Sequence, residues 1–265
     1  MKSMLSRLLS YRPTVETLIT TVTLSTIFLI WFEVTRRGLV QPIFVPSPED
    51  VWITFLELMT DGYHGHNLME HNLTSLERVL IGWVIATLIS VPLGLAMGLS
   101  AKVRAVFDYI IEFYRPLPPL AYYTLLVLWF GIGETSKVLL LFLAAMPPII
   151  IGCAQAVRDV SPSVTQAARS LGATPLQVFY KITLPATMPA TITSMRISLG
   201  FTYTVLVAAE IVAATEGIGW LVWDAAKFLR SDIIFVGIIV MGITGIFLDS
   251  ILRLIARYML RWKYG

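Results

Sequence analysis

The residue types able to do chemistry are few. All three histidines, His64, His66 and His71, crowd into one segment, with Glu70 beside the last. Imidazole and carboxylate at such spacing are metal-ligand types. Here they lie in a segment outside the apolar stretches and read as exposed loop histidines, with no metal site. A single cysteine, Cys153, excludes a disulfide scaffold and a cysteine-built zinc or iron–sulfur centre, and its apolar neighbours mark it as a packed thiol. No Gly-x4-Gly-Lys-Ser/Thr loop is present, and Gly131-Ile-Gly133 is too short to cradle a phosphate. No Ser/His/Asp set has supporting context. The chain therefore reads as one that performs no covalent chemistry. The remaining candidates are polar groups embedded in apolar sequence: Arg78, Thr202, Tyr203, Thr204 and Glu210. Polar groups at membrane depth are functional candidates by default.

The elements that must position these groups are membrane spans. Of 265 residues, 56% are apolar and 14% charged, and the mean hydropathy is +0.76. Soluble domains carry about 25% charged residues, and disorder is excluded by the abundance of apolar side chains. A span takes about 20 mostly apolar residues. Leu18–Val34, Leu76–Leu99, Lys137–Val157, Ile192–Ala214 and Ile233–Ile255 qualify or nearly qualify, and the shorter Leu117–Ile132 completes a set of six. The fold class expected is an all-α polytopic membrane protein with six transmembrane helices, forming a single transmembrane domain over residues 1–265. Lys2, Arg7 and Arg12 precede the first stretch, which lacks a small-x-small cleavage site and reads as a retained helix.

Basic residues set the orientation. With the first residues inside, the inner segments carry Lys2, Arg7, Arg12, Lys102, Arg104, Arg115, Arg158, Arg169, Lys181, Arg196, Arg253, Arg257, Arg261 and Lys263. The outer segments carry only Arg36, Arg37, Lys137, Lys227 and Arg230, with Arg78 near the outer end of the second span. Both termini are expected in the cytoplasm. The pI near 9.0 then reflects topology and not a nucleic-acid surface.

The segments between spans carry local signals. Residues 38–66 read as an outer interfacial segment, in which Ser47, Pro48 and Asp50 open a short amphipathic helix. Gly94 and Gly98 share one helical face and permit close helix approach, and Pro92 can kink that helix. Residues 158–189 read as a cytoplasmic helical hairpin. Ser161 caps its first helix with Pro162 in first position, and Gly172 ends it. Thr174, Pro175 and Gln177 form a capping box for the second helix, which Pro185 and Pro189 close. Two structured helices between spans suggest a docking surface. DNA binding is disfavoured, because Arg169 and Lys181 are the only basic residues between Thr165 and Thr193.

Gln166-Ala167-Ala168 and Gly172, followed by Ile182-x-Leu184-Pro185, resemble the EAA motif of inner-membrane permeases of binding-protein-dependent ABC importers. Phe44-Val-Pro46-Ser-Pro48, Pro92-Leu-Gly94, Tyr114-Arg-Pro-Leu-Pro-Pro119, Trp129-Phe-Gly-Ile-Gly-Glu134 and Ala208-Ala-Glu210 are similar to the taurine, sulfonate, nitrate and bicarbonate branch. Within it, Arg115–Ala121 and Ile132–Lys137 are most similar to taurine permeases. The resemblance covers nearly the whole chain from about Phe44. It implies a type I importer fold in the bacterial inner membrane, with a second copy of the chain completing the pathway. Two cytoplasmic ATPase subunits, holding ATP and Mg, would dock below, and a periplasmic or lipid-anchored solute-binding protein above. No cofactor is expected on this chain.

The coupling residues implied are Gln166, Ala167, Ala168, Gly172, Ile182, Leu184 and Pro185. Gln166 stands where the motif has glutamate, so it retains hydrogen bonding and loses the charge. The solute implied is a small anion or zwitterion, taurine first and nitrate or bicarbonate as alternatives. Arg78, Thr202, Tyr203, Thr204 and Glu210 are the candidate pathway residues. Glu210 would act through a structural hydrogen bond or a pair with Arg78, and Arg78 is otherwise free to sit at the outer interface.

Overall fold

A computed structural model describes residues 15–260, and over these the chain is helical apart from one isolated bridge between Tyr63 and His66. The basic residues expected at positions 2, 7, 12, 261 and 263 lie outside the described residues. The helices are α1 (Val15–Arg36), α2 (Pro48–Thr60), α3 (Leu68–Leu99), α4 (Ala101–Tyr114), α5 (Pro119–Phe130), α6 (Glu134–Arg158), α7 (Pro162–Ser170), α8 (Pro175–Val178), α9 (Leu184–Ala213), α10 (Ile218–Lys227) and α11 (Ser231–Met259). A π-helical turn, Phe179–Thr183, joins α8 to α9.

Five helices are long and apolar enough to cross a membrane: α1, α3, α6, α9 together with its α8 extension, and α11. This corrects the expectation of six. The stretch Leu117–Ile132 forms only α5, 12 residues between Pro118 and Gly131. At 1.5 Å per residue α5 is about 18 Å long, against a hydrocarbon core of about 30 Å. Proline at one end and Gly131 at φ +79° on the other stop it from extending.

The centre of the bundle is α3 against α6, and the two run parallel. A Cβ on Gly82 would meet Leu141, one on Gly94 would meet Ile150 and Cys153, and one on Gly98 would meet Val157 and Ala154. Position numbers rise together along both helices. Gly94 and Gly98 thus allow a close approach within the chain, and they say nothing about a second copy. Helix α9 runs antiparallel to α6, with Ser198 Oγ donating to the Ala145 carbonyl at 2.8 Å. Helix α11 runs antiparallel to α9, through Arg196–Asp249 at 2.7 Å and a hydrogen bond from Tyr203 OH to the Met241 carbonyl. Val79, Trp83, Tyr123, Leu140, Leu141, Leu206 and Ala209 fill the space between them. Helix α1 has no buried residue.

Local signals explain several boundaries. Ser47 and Asp50 form the capping box of α2, whose Val51 and Leu58 join Ile218, Leu221 and Ile233 in a second apolar cluster. Asn67 and Glu70 form another capping box and start α3 eight residues before the expected span. Pro92 lies inside α3 without ending it. Pro185 and Pro189 do not close the hairpin: α8 passes through the π turn into α9. The Leu184 N–H reaches back to the Phe179 carbonyl. That wider turn falls where Pro185 removes a donor and its ring would crowd the preceding turn.

Candidate functional site: an exposed hairpin and a buried ion cluster

Two constructions stand at opposite ends of the bundle. The first is the hairpin of α7 and α8. Helix α7 opens with Pro162, but the Ser161 hydroxyl does not cap it and instead lies 2.7 Å from Ser163 Oγ. At the far end Ala173 N–H donates to the Ala168 carbonyl and Gly172 N–H to the Arg169 carbonyl. That pair of bonds is a Schellman ending, which needs a left-handed residue. Gly172 supplies it at φ +84°, with open space around it. Thr174 and Gln177 then close a reciprocal capping box at 3.3 and 2.9 Å.

Gln166, Ala167 and Gly172 are exposed, Ala168 is half-buried, and Ile182, Leu184 and Pro185 are half-buried where the hairpin enters α9. Val164, Leu171, Leu176 and Tyr180 are apolar and exposed, Leu171 at 90%. Such a cluster on a hairpin is the mark of a surface that another protein covers. Leu171 was not named among the coupling residues, although an apolar residue beside a chain-reversing glycine was the available signal.

The second construction is an ion cluster in which Arg78, Lys137 and Glu210 are buried and Glu134 is exposed. Arg78 of α3 is 2% exposed, which excludes a place in water at the interface. Its Nε and Nη2 donate to the two carboxylate oxygens of Glu134 at 2.7 Å each. Its Nη1 donates to Glu210 Oε1 and to the Glu216 carbonyl, both at 2.8 Å. The Glu210 carboxylate also accepts from Ser75 Oγ at 2.7 Å and from the Gly219 N–H at 2.8 Å. Lys137 closes the set by donating to Glu134 at 2.7 Å. Two cations thus meet two carboxylates, Glu134 and Glu210, with the carboxylate of Glu216 a further 3.6 Å from Arg78. The arrangement ties α3, the start of α6, α9 and the turn into α10 together. Every Arg78 nitrogen is engaged, so in this conformation it offers nothing to a solute.

His71 corrects the reading of exposed loop histidines. It is fully buried in α3, and only His64 and His66 are exposed. Gly217 N–H donates to His71 Nδ1 at 3.1 Å, so the proton sits on Nε2 and faces the Tyr63 carbonyl at 3.2 Å. Beside it, burial first and the Asp224 carboxylate second push the Tyr63 phenol up from its ordinary value. No His, Cys, Asp or Glu group among the described residues has the arrangement of a metal site.

The other pathway candidates do not converge. Thr202 is buried and returns its hydroxyl to the Ser198 carbonyl, Tyr203 reaches Met241, and Thr204 is exposed and bonds the Phe201 carbonyl. Glu134 and Glu216 were missed as partners of Arg78, Ser75 as a partner of Glu210, and Lys137 as a partner of Glu134. Opposite charges far apart in sequence cannot be paired until the helix register is known.

The family described as "Binding-protein-dependent transport system inner membrane component" matches residues 90–261, which contain the hairpin, Glu134 and Glu210. The chain belongs to this family. It is an ABC-importer permease: a transport subunit of that machinery and not itself an ATPase. The taurine transport system permease protein TauC of Escherichia coli K12 is 41% identical over 241 residues, covering 91% of this permease and 88% of TauC. A putative aliphatic sulfonates transport permease protein, SsuC of Bacillus subtilis 168, is 32% identical over 237 residues, covering 89% and 84%. Among solved structures, an inward-facing MetNI methionine ABC transporter chain superposes with a TM-score of 0.59 at 17% identity, covering 73% of the permease and 94% of that chain. That likeness shows the fold: an all-α, multi-pass permease of the type I importer class.

Proposed function

We propose that the permease carries a small alkanesulfonate, taurine foremost, inward across a bacterial inner membrane. It does so as a homodimer, with two cytoplasmic ATPases docked on the 158–189 hairpins and a solute-binding protein delivering from outside. The observation that carries the solute is the 41% identity to TauC across nine-tenths of the chain. The observation that supports docking is the exposed apolar hairpin, which is stiffly capped yet leaves Leu171 and Leu176 uncovered. Motion of the ATPases would move this hairpin and, through the continuous α8–α9 rod, rock α9 against α6.

Five helices are long enough to span, and helix direction supports a return of the chain between α3 and α6. Because α3 and α6 are parallel, the chain between Leu99 and Glu134 must return along the whole bundle. Helix α4, the turn at 115–118 and the short α5 occupy that stretch. The basic asymmetry described above supports an orientation with both termini and the hairpin in the cytoplasm.

The test is uptake of labelled taurine by the permease with its ATPase and binding protein in proteoliposomes, with nitrate, bicarbonate and longer sulfonates as competitors. Taurine uptake that sulfonates inhibit agrees with the proposal. Uptake of nitrate or bicarbonate with no entry or competition by taurine overturns the solute and leaves the transport role intact.

A further inference from the structure

Two concavities meet at Arg115 and Ile151. The first, of about 500 Å³, lies between α6 and α9, where Pro147 and Pro148 face Ser194, Ile197 and Phe201, with Arg115 at its edge. The second, of about 400 Å³, holds Arg104, Asp108, Glu112, Arg115 and Arg158. Arg115 and Ile151 border both. The first concavity sits halfway along α6 and the second at the end where the hairpin begins, so together they trace a course from the middle of the bundle to that end.

The chemistry of this course is uneven in a useful way. Its upper part is apolar apart from Ser194 and the backbone. Pro147 and Pro148 carry no N–H, so the carbonyls one turn earlier, at Leu143 and Ala144, lose their helical donors. Ala144 lines the same concavity. The neighbouring Ala145 carbonyl is served by Ser198. The lower part holds three guanidinium groups against two carboxylates. Among the described residues Arg158 bonds the neutral Gln155 amide, and Arg104, Asp108, Glu112 and Arg115, which line the recess, form no ion pair. This contrasts with Arg78, whose nitrogens are all engaged by fixed partners.

We propose that this junction is the release-side transit site for a solute bearing a sulfonate or comparable oxyanion. Arg115 meets the anionic head. The inference rests on the reading above that the permease carries an alkanesulfonate, and it names the residues of this chain that would touch it. Asp108 and Glu112 keep the recess close to neutral, so the anion is attracted without being held by a fixed buried pair.

The test reads local electrostatics without relying on transport. In the full complex, Ile197→Cys is made in a Cys153→Ala background, and thiol modification by anionic and cationic methanethiosulfonates is timed from the cytoplasmic side. Arg115→Gln should lower the anionic-to-cationic rate ratio about fivefold or more, because one unit charge near the thiol acts on the two reagents with opposite sign. Taurine should slow modification when Arg115 is present and not in Arg115→Gln. An unchanged ratio overturns the proposal. So does a thiol closed to both reagents throughout the ATP cycle, or loss of ATPase or of the second copy from Arg115→Gln, which would make Arg115 an interface residue. Sulfonate uptake by the parent complex is measured alongside. Its absence refutes the alkanesulfonate reading, whereas uptake with an unchanged ratio refutes only this site.

Discussion

Arg78 and Glu210 are partners, yet removing them should not cost the same. Arg78→Met leaves Glu210 fully buried with its charge opposed by no cation, supported only by Ser75 and the Gly219 N–H. Breaking a buried pair in this way costs about 3–5 kcal/mol. Glu210→Gln leaves Arg78 with both Glu134 oxygens and the Glu216 carbonyl. Its penalty is the misfit of an amide among three donors, about 1–3 kcal/mol. Arg78→Met combined with Glu210→Leu removes both charges. It should cost less than the sum of Arg78→Met and Glu210→Leu measured singly, with a coupling of about 2 kcal/mol. Thermal and denaturant unfolding of the purified permease in detergent measures all of these variants. Equal losses for Arg78→Met and Glu210→Gln, or strict additivity in the double variant, would refute the cluster as the element that ties α3 and α6 to the α9–α10 turn.

Other outcomes follow from the packing and the caps. Gly98→Leu should lower stability by about 1–3 kcal/mol through overpacking, since even a Cβ there would lie 2.5 Å from Val157 Cβ; a thermal shift assay checks it. Thr174→Ala should cost about 1 kcal/mol by opening a real capping box, and Ser161→Ala close to nothing; unfolding curves of the two variants should separate in that order. Thr174→Cys in a Cys153→Ser background should resist an impermeant thiol reagent applied outside intact cells and react in inverted vesicles; ready labelling from outside would reverse the assigned orientation.

Much of this architecture can be read from local chemistry. Ser47-Pro48, Thr174-Pro175-x-Gln177 and Gly172 announce their caps and turn because each satisfies its own backbone within a few residues. The apolar stretches announce helices for the same reason. What could not be read depends on register. Leu117–Ile132 has a span's composition, but its length is cut by the residues at its two ends. His71 looks like its exposed neighbours until the Asn67 cap starts α3 early and turns it inward. Gly94 and Gly98 announce close packing without naming the partner, which is α6. Arg78 and Glu210 could be suspected of pairing, but the bidentate Glu134 could not, because its helix and theirs are brought together only by the fold.

The central claim is that ATP hydrolysis in a separate subunit drives solute through this permease by way of the 158–189 hairpin. The most direct measurement is ATP-dependent solute uptake in proteoliposomes containing ATPase and binding protein, comparing the parent permease with Gly172→Leu. A β-substituted side chain at φ +84° strains the Schellman ending and pushes into the space that the ATPase would occupy. The account predicts that the variant inserts and dimerises normally, loses most of its uptake, and retains less ATPase after purification. Uptake and ATPase retention at parental levels would contradict it.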